Sequence, residues 1–285
     1  MGKQYILFNP YSSNSTGESE AKKVLFYLSG ASYEFVKMTE VADYADFFKT
    51  CNGDDKIIVC GGDGTFNHFV NDCHGVFPDN EIYLYPGGSG NDFLNDINMK
   101  APCAPVKVNE YLKNLPQAEV NGKNYFFINN IGFGIDGLVC YDAEELKTRK
   151  KTAKTNYTPI ALQAILFKYK PGNAKVCVDG KNYEFERVWM APTMNGRFFG
   201  GGMMVAPMQN RLNEEHSMTL MLFHNANRFQ MATSFPAVFS GKHVSNPKCF
   251  FFFFHDITVE FDAPNFIEID GEPIINVVKY HAFRK

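Results

Sequence analysis

The sequence predicts an α/β N-terminal domain with a mostly parallel sheet, followed by a mainly antiparallel, β-sandwich-like C-terminal domain. Three observations carry this. The first hundred residues alternate short apolar runs with segments of helical periodicity, the pattern of repeated βα units. From about Asn109 the texture changes to aromatic and β-branched stretches punctuated by Asn121-Gly122, Asp179-Gly180 and Asp270-Gly271, each a two-residue hairpin signal. Three loops rich in Gly, Ser, Asn and Asp stand at strand ends of the first half, where an open α/β sheet binds its ligands.

In chain order, Gln4 to Asn9 is a short buried strand. Ala21, Val24, Leu25 and Leu28 then recur at helical spacing. Tyr33 to Lys37 is a second strand and Val41 to Thr50 a second helix. Lys56 to Cys60 is a third strand, and Thr65 to Cys73 the helix after its glycine loop. Glu81 to Tyr85 is a fourth strand, ending in PGGSGND. The second half adds some helix around Asp142 to Phe167. Pro102 and Pro105 mark the change of texture, so the expected domains are 1–107 and 108–285.

Composition narrows the function classes. A 285-residue chain with 45% hydrophobic and 21% charged residues is globular material. A net charge of -3 offers no basic footprint for nucleic acid. Seven cysteines, none in a CxxC pair, fit reduced thiols in a cytoplasm. The N-terminal apolar stretch is too short for a signal peptide, and Ile6 stands where a myristoylation motif needs Ser or Thr. The longest apolar run, Cys249 to Phe254, is far below a membrane span.

The loops NPYSS (Asn9 to Ser13), GGDGTFN (Gly61 to Asn67) and PGGSGNDF (Pro86 to Phe93) are the candidate phosphate-binding segments, since glycines let backbone N–H groups approach an anion closely. Asp63 is out of place in such a loop unless a cation lies between it and the phosphates, or unless it is a turn residue bonded to its own backbone.

These motifs resemble the catalytic domain of the diacylglycerol kinases, a family that includes sphingosine and ceramide kinases and bacterial soluble lipid kinases. The GGDGT loop, the PGGSGNDF segment and the late Asp270-Gly271-Glu272 carry the likeness, which runs essentially end to end. NAD kinases and phosphofructokinases share GGDG loops; the other two motifs favour the lipid kinases. The resemblance implies ATP and Mg²⁺ in a cleft between the domains. Nucleotide contacts would come from Asn9, Pro10, Tyr11, Ser12, Ser13, Thr39, Gly61, Gly62, Asp63, Gly64, Thr65, Phe66, Asn67 and Ser89, with Asp63 engaging the metal. Asp63, Asp270 and Glu272 would be catalytic, with Glu272 the general base on the lipid hydroxyl; a plain hairpin role for Asp270-Gly271 remains the alternative.

The implied function is ATP-dependent phosphorylation of diacylglycerol or a related lipid presented at a membrane surface, within phospholipid metabolism. The implied setting is cytoplasmic, with peripheral contact at the inner leaflet and a homodimer left open. A kinase of a soluble molecule such as NAD, and a nucleotide-gated lipid-binding protein without turnover, are the rival readings.

Other features carry less. Gly132, Gly134 and Gly137 form a GxGxxG without the acidic partner of a dinucleotide fold. Lys147, Arg149, Lys150, Lys151 and Lys154 are a solvated helix face or a docking site for anionic headgroups. Phe250 to Phe254 reads as a buried strand, with a wall for lipid chains as the alternative. His68 and His255 have no ligand-spaced partners. Finally, the family's bacterial members carry an Asp-Asp-Gly segment for a structural Mg²⁺ where this chain reads MQNRLNEEHSMTL, which puts that metal site in doubt.

Overall fold

A computed structural model describes residues 2–28, 30, 32–87, 90–150 and 157–284; the side chains of 13, 14 and 150 are outside the description. The chain divides into two compact units, Met1–Leu115 and Pro116–Lys285. The division falls later than 107/108 because the chain stays on the first sheet beyond Lys107, with Val108 N donating to Ile82 O at 2.8 Å. The Asn109 side chain also bonds Ile82 N and Asn80 O, both at 2.8 Å.

In the first unit, β1 (Gln4–Phe8), β2 (Tyr33–Lys37), β3 (Lys56–Gly61), β4 (Glu81–Pro86) and β5 (Val106–Lys107) form one sheet in the order β2-β1-β3-β4-β5. The first four strands are parallel and β5 is antiparallel. Five helices, α1 (Ser12–Ser15), α2 (Gly17–Lys22), α3 (Tyr44–Lys49), α4 (Asp63–Asp72) and α5 (Asp92–Asp96), connect them. Three helices differ from the sequence reading, α4 by starting at Asp63 rather than Thr65. The first breaks into α2 and a 3-10 turn over Lys23–Tyr27. The second starts at Tyr44 rather than Val41, because Asp43 is its N-cap and accepts Ala45 N at 2.7 Å and Asp46 N at 3.2 Å.

The second unit has β6 (Gln117–Val120), β7 (Lys123–Phe126), β8 (Asn130–Phe133), β9 (Gly172–Val178), β10 (Lys181–Met190), β11 (Thr193–Met194), β12 (Phe198–Phe199), β13 (Met203–Met204), β14 (Met218–His224), β15 (Cys249–Phe254), β16 (Asp256–Ile269) and β17 (Glu272–Phe283). Three helices accompany them: α6 (Ile135–Lys150), α7 (Tyr157–Gln163) and α8 (Arg228–Phe239). All sheet pairings named for this unit are antiparallel.

Strand β16 organises the unit. One edge pairs with β17, while β9 and β8 lie end to end along the other, at Ile257–Phe261 and Ile267–Ile269 respectively. Register shifts around Asn265 let one strand serve both stretches. The core between the layers includes Phe133, Leu220, Ile257, Val259, Ile267 and Tyr280.

The three Asn/Asp-Gly pairs are two-residue turns with positive φ at both positions: 50° and 74°, 45° and 81°, and 47° and 91° for Asn121-Gly122, Asp179-Gly180 and Asp270-Gly271. Phe250–Phe254 departs from the buried reading. It belongs to β15, which pairs with β14 and leaves Phe250 and Phe253 about half exposed.

Candidate active site

Parallel register sets the first cluster. Phe8 pairs with Lys37 and Cys60, and Gly61 with Pro86, so the segments after β1, β2, β3 and β4 leave the same edge of the sheet. After β1, the Asn9 side chain accepts Tyr11 N at 2.9 Å while its carbonyl accepts Ser12 N and Ser12 Oγ at 3.1 and 2.8 Å. Pro10 lies inside this turn. Tyr11 is 74% exposed, and Thr39 is exposed in the 3-10 turn after β2. Ser89 and the Ser13 side chain lie outside the described residues.

After β3, helix α4 begins two residues earlier than Thr65, with Gly62 as its N-cap and Asp63 and Gly64 in its first turn. Asp63 is therefore a helix residue, and the first-turn N–H groups beside it have no intrahelical acceptor. Gly61 is obligatory in packing terms: a Cβ there would stand 2.5 Å from Thr65 Oγ1. Thr65, Phe66 and Asn67 are buried, and the Phe66 ring packs edge-on against Phe93 at 5.2 Å. Only the backbone of Phe66 is placed to meet a ligand.

The Asp63 carboxylate accepts Asp92 N at 2.8 Å and Phe93 N at 3.0 Å, while Asp63 N donates to Gly90 O at 3.2 Å. Gly87 N also donates to Gly61 O at 3.2 Å. Asp63 thus clamps the GGDGTFN and PGGSGNDF loops together, capping α5 with a charge that its first-turn N–H groups favour. Asp92, 4% exposed in the same loop, is an acidic group that sequence reasoning passed over. Its signal was the Asn-Asp that follows the second glycine run.

A separate open trough of about 770 Å³ lies beside β1, β2 and α3. Its lining includes Glu18, Glu34, Glu40, Asp43 and Asp46 against Lys37. That charge does not suit a polyphosphate.

In the second unit, Asp270 and Glu272 separate into different jobs. Asp270 is 8% exposed and its carboxylate accepts Ile128 N, Asn129 N and Asn130 N at 2.5, 2.7 and 3.0 Å. It anchors the turn to the start of β8. Glu272, the first residue of β17, is exposed. Of the two, Glu272 is the exposed one and Asp270 the buried one.

Beside the turn lie two buried arginines. Arg211 donates to Ile128 O and Asn129 Oδ1, both at 3.1 Å, and Arg284 donates to Asn195 Oδ1 at 3.1 Å and to Arg211 O at 2.9 Å. Burial, then the Arg211 charge, lowers Arg284 to about 10, so it stays protonated at neutral pH. Arg211 comes from the MQNRLNEEHSMTL segment, whose Glu214 and Glu215 are exposed. Among the described residues no group of three or more His, Cys, Asp or Glu is placed to hold a metal ion. The residues present do not fit a structural Mg²⁺ there; the buried cation of this segment is a guanidinium.

The GxGxxG glycines are structural. Gly134 has φ 119° with Trp189 O 2.6 Å from where a Cβ would stand, and a Cβ on Gly137 would meet Ile267 N at 2.6 Å. Gly132 leaves room for two carboxylates, Asp136 and Glu268.

Residues 3–120 match the family model described as diacylglycerol kinase catalytic domain, and residues 129–281 match the YegS C-terminal NAD kinase beta sandwich-like domain. The chain belongs to the diacylglycerol kinase family. Among its relatives is the diacylglycerol kinase of Mycobacterium tuberculosis (strain ATCC 25618 / H37Rv), 24% identical over 258 residues, covering 86% of this chain and 80% of that one. A Bacillus subtilis (strain 168) protein named "Putative lipid kinase YtlR" is 28% identical over 168 residues, which is 54% of each chain. The fold of this kinase-family chain also resembles a solved structure titled "A putative diacylglycerol kinase from Bacillus anthracis str. Sterne". Its TM-score is 0.70 at 19% identity, over 100% of this chain and 94% of that one. No helix among the described residues is long and apolar enough to cross a membrane.

Proposed function

We propose that this lipid-kinase family member transfers the γ-phosphoryl group of ATP to a hydroxyl of diacylglycerol or a related lipid. The observation that carries the reading is the Asp63 clamp, which joins two glycine loops at the sheet edge where α4 begins directly after β3, with the Gly64 and Thr65 N–H groups in its first turn. Such donors bind phosphate oxygens without a basic side chain. Mg²⁺ would neutralise phosphate charge during transfer. Both Asp63 oxygens already accept backbone N–H bonds, so Asp63 suits an ion that keeps its waters, contacting it through one of them.

Glu272 receives the proton of the lipid hydroxyl, and Asp270 holds the turn that presents it. Lipid access is peripheral. Exposed Leu162, Leu166 and Phe167 follow the basic stretch in sequence, and exposed Phe229 lies in the first turn of α8, whose Arg228 donates to Ile165 O at 2.5 Å and to Tyr169 O at 2.9 Å.

The test is incubation with labelled ATP, Mg²⁺ and a panel of dispersed lipids, with products separated by thin-layer chromatography. A labelled lipid phosphate is expected. Transfer to a soluble acceptor such as NAD without any lipid product overturns the acceptor class, and ATP binding with no product from any acceptor overturns turnover itself.

A further inference from the structure

Three neighbouring elements of the second unit bring two acids to one point. Glu268 on β16 stands opposite Gly132 on β8 in the antiparallel register, and Asp136 lies in the first turn of α6. A Cβ on Gly132 would stand 2.5 Å from Glu268 Oε1 and closer still to Asp136 Oδ2. The two oxygens are therefore no farther apart than twice that distance. Glu268 is 0% exposed and Asp136 6%.

Their surroundings differ. Glu268 Oε1 accepts a short bond from Asn130 Nδ2, and its Oε2 accepts Gly271 N at 2.7 Å. Asp136 has no hydrogen-bond partner at either carboxylate oxygen among the described residues. The groups around the pair offer little compensating charge. Cys140 is one turn along α6; Glu272, Asp270, Tyr280 and Tyr169 approach from β17, the turn and the segment before β9. Lys147, further along α6, reaches Cys140 with its field. Two buried carboxyls this close cannot both ionise, and the proton retained is naturally shared between them.

We propose that Asp136 and Glu268 share one proton at neutral pH, and that this proton makes Glu268 a positioning residue for the Asp270-Gly271-Glu272 turn. The shared proton neutralises repulsion that would otherwise push the Glu268 carboxylate off Gly271 N, its tether on the turn tip. Burial pushes Asp136 up to about 7, and burial followed by the Asp136 charge raises Glu268 well above the carboxylate range. Gly132 is the residue that admits the pair. The positioning role rests on the kinase reading; the shared proton does not.

The sign of the stability effect is fixed by these directions. A carboxyl with a raised native pKa loses stability for the fold as pH climbs from its unfolded value to its folded one, and loses no more above that. Wild-type melting temperature should therefore fall between about pH 4 and 7 through Asp136, and further while Glu268 loses its proton.

The experiment compares the full-length wild type with Asp136→Asn, whose amide donates permanently where the proton was shared, and with Glu268→Ala. At pH 6 the wild type should show the infrared band of protonated, buried carboxyl, weaker and shifted in Asp136→Asn, where Glu268 alone remains. The fall in melting temperature through neutral pH should flatten in the variant. The alkaline limb of the pH–turnover profile should move to higher pH in Asp136→Asn. Glu268→Ala should cut turnover at least tenfold at every pH without changing nucleotide affinity. If Glu268→Ala does not fold, the infrared and melting comparisons still decide. Parallel melting curves, or no protonated carboxyl band in the wild type, overturn the shared proton. Unchanged pH–turnover profiles with the band present overturn the positioning role. Absence of any lipid product from the wild type bears on the kinase reading alone, since the infrared and melting measurements need no substrate.

Discussion

Asp63 and Asp270 share a chemical type and a local habit: each spends its carboxylate on backbone N–H groups from a segment distant in sequence. Replacing Asp63 with Asn leaves one oxygen where two were used and turns an NH₂ towards a backbone donor. Hydrogen bonds to a charged group contribute about 1.5–3 kcal/mol each. Asp63→Asn should therefore lower stability by about 1–3 kcal/mol in urea unfolding and reduce lipid phosphorylation at least a hundredfold. Undiminished phosphorylation would remove Asp63 from the site. Glu272→Gln sets the contrast. The side chain is exposed, so stability should hold within about 0.5 kcal/mol. Turnover should fall by roughly 10² to 10⁴, the contribution of a general base. Asp270→Asn should do the reverse, costing about 2–3 kcal/mol of stability before any effect on the proton transfer. Equal and purely kinetic losses in both variants would mean that Asp270, not Glu272, meets the hydroxyl.

At the scale of elements, glycine decides which packings are allowed. Gly61→Ala drives a Cβ into Thr65, 2.5 Å from its Oγ1, and must lift α4 from β3. The expected outcome is loss of nucleotide binding by calorimetry, together with about 1–3 kcal/mol of stability. An alanine variant that binds as before would show that the α4 first turn does not contact phosphate. The same residues explain what sequence could and could not reveal. The parallel strands were legible because Ile57-Ile58-Val59 and Tyr5-Ile6-Leu7 are continuous apolar runs, the mark of strands buried on both faces. The three hairpins were legible because Asn-Gly and Asp-Gly tolerate positive φ. The start of α4 was hidden, since Gly62 and Gly64 are poor helix formers that read as loop. The start of α6 at Ile135 was hidden for the same reason, Gly134 and Gly137 flanking it. The Asp136–Glu268 pair was invisible: its members are over a hundred residues apart, and nothing in the local sequence marks either as buried. Glu272 was legible only as part of a motif, and the division of labour with Asp270 needed the hydrogen bonds.

For the molecule as a whole, charge is distributed unevenly. The stretch from Asp142 to Lys170 carries Lys147, Arg149, Lys150, Lys151, Lys154, Lys168 and Lys170 against Asp142, Glu144 and Glu145, while the chain is -3 overall. Part of this excess is paired on α6, Lys147 with Glu144 at 3.2 Å and Arg149 with Glu145 at 3.0 Å, and Lys151 and Lys154 are outside the described residues. Vesicles containing phosphatidylglycerol should therefore bind the protein more tightly than neutral ones, with binding lost as salt rises to about 0.5 M, where screening is short-ranged. Equal binding to both vesicle types would reduce the stretch to a solvated face. The interior of the second unit gives a further expectation. With Arg211 and Arg284 as its buried cations, removing divalent metal with a chelator should leave the melting temperature of the nucleotide-free protein unchanged, whereas Arg211→Ala should lower it by leaving Ile128 O and Asn129 Oδ1 without these donors. A chelator-induced drop would point to a metal site.

Strand β17 is late in the sequence and yet interior in the sheet, flanked by β6 on one side and β16 on the other. On the ribosome this fixes an order of events. The first unit contains all of its own sheet partners by Leu115 and is free to fold during synthesis, as N-terminal domains generally do. The second cannot close until residues up to Phe283 have left the exit tunnel, because β6 must wait for a partner some 160 residues downstream. Through that interval the second sheet lacks the strand that joins β6 to β16, while the first unit already has every strand of its own sheet.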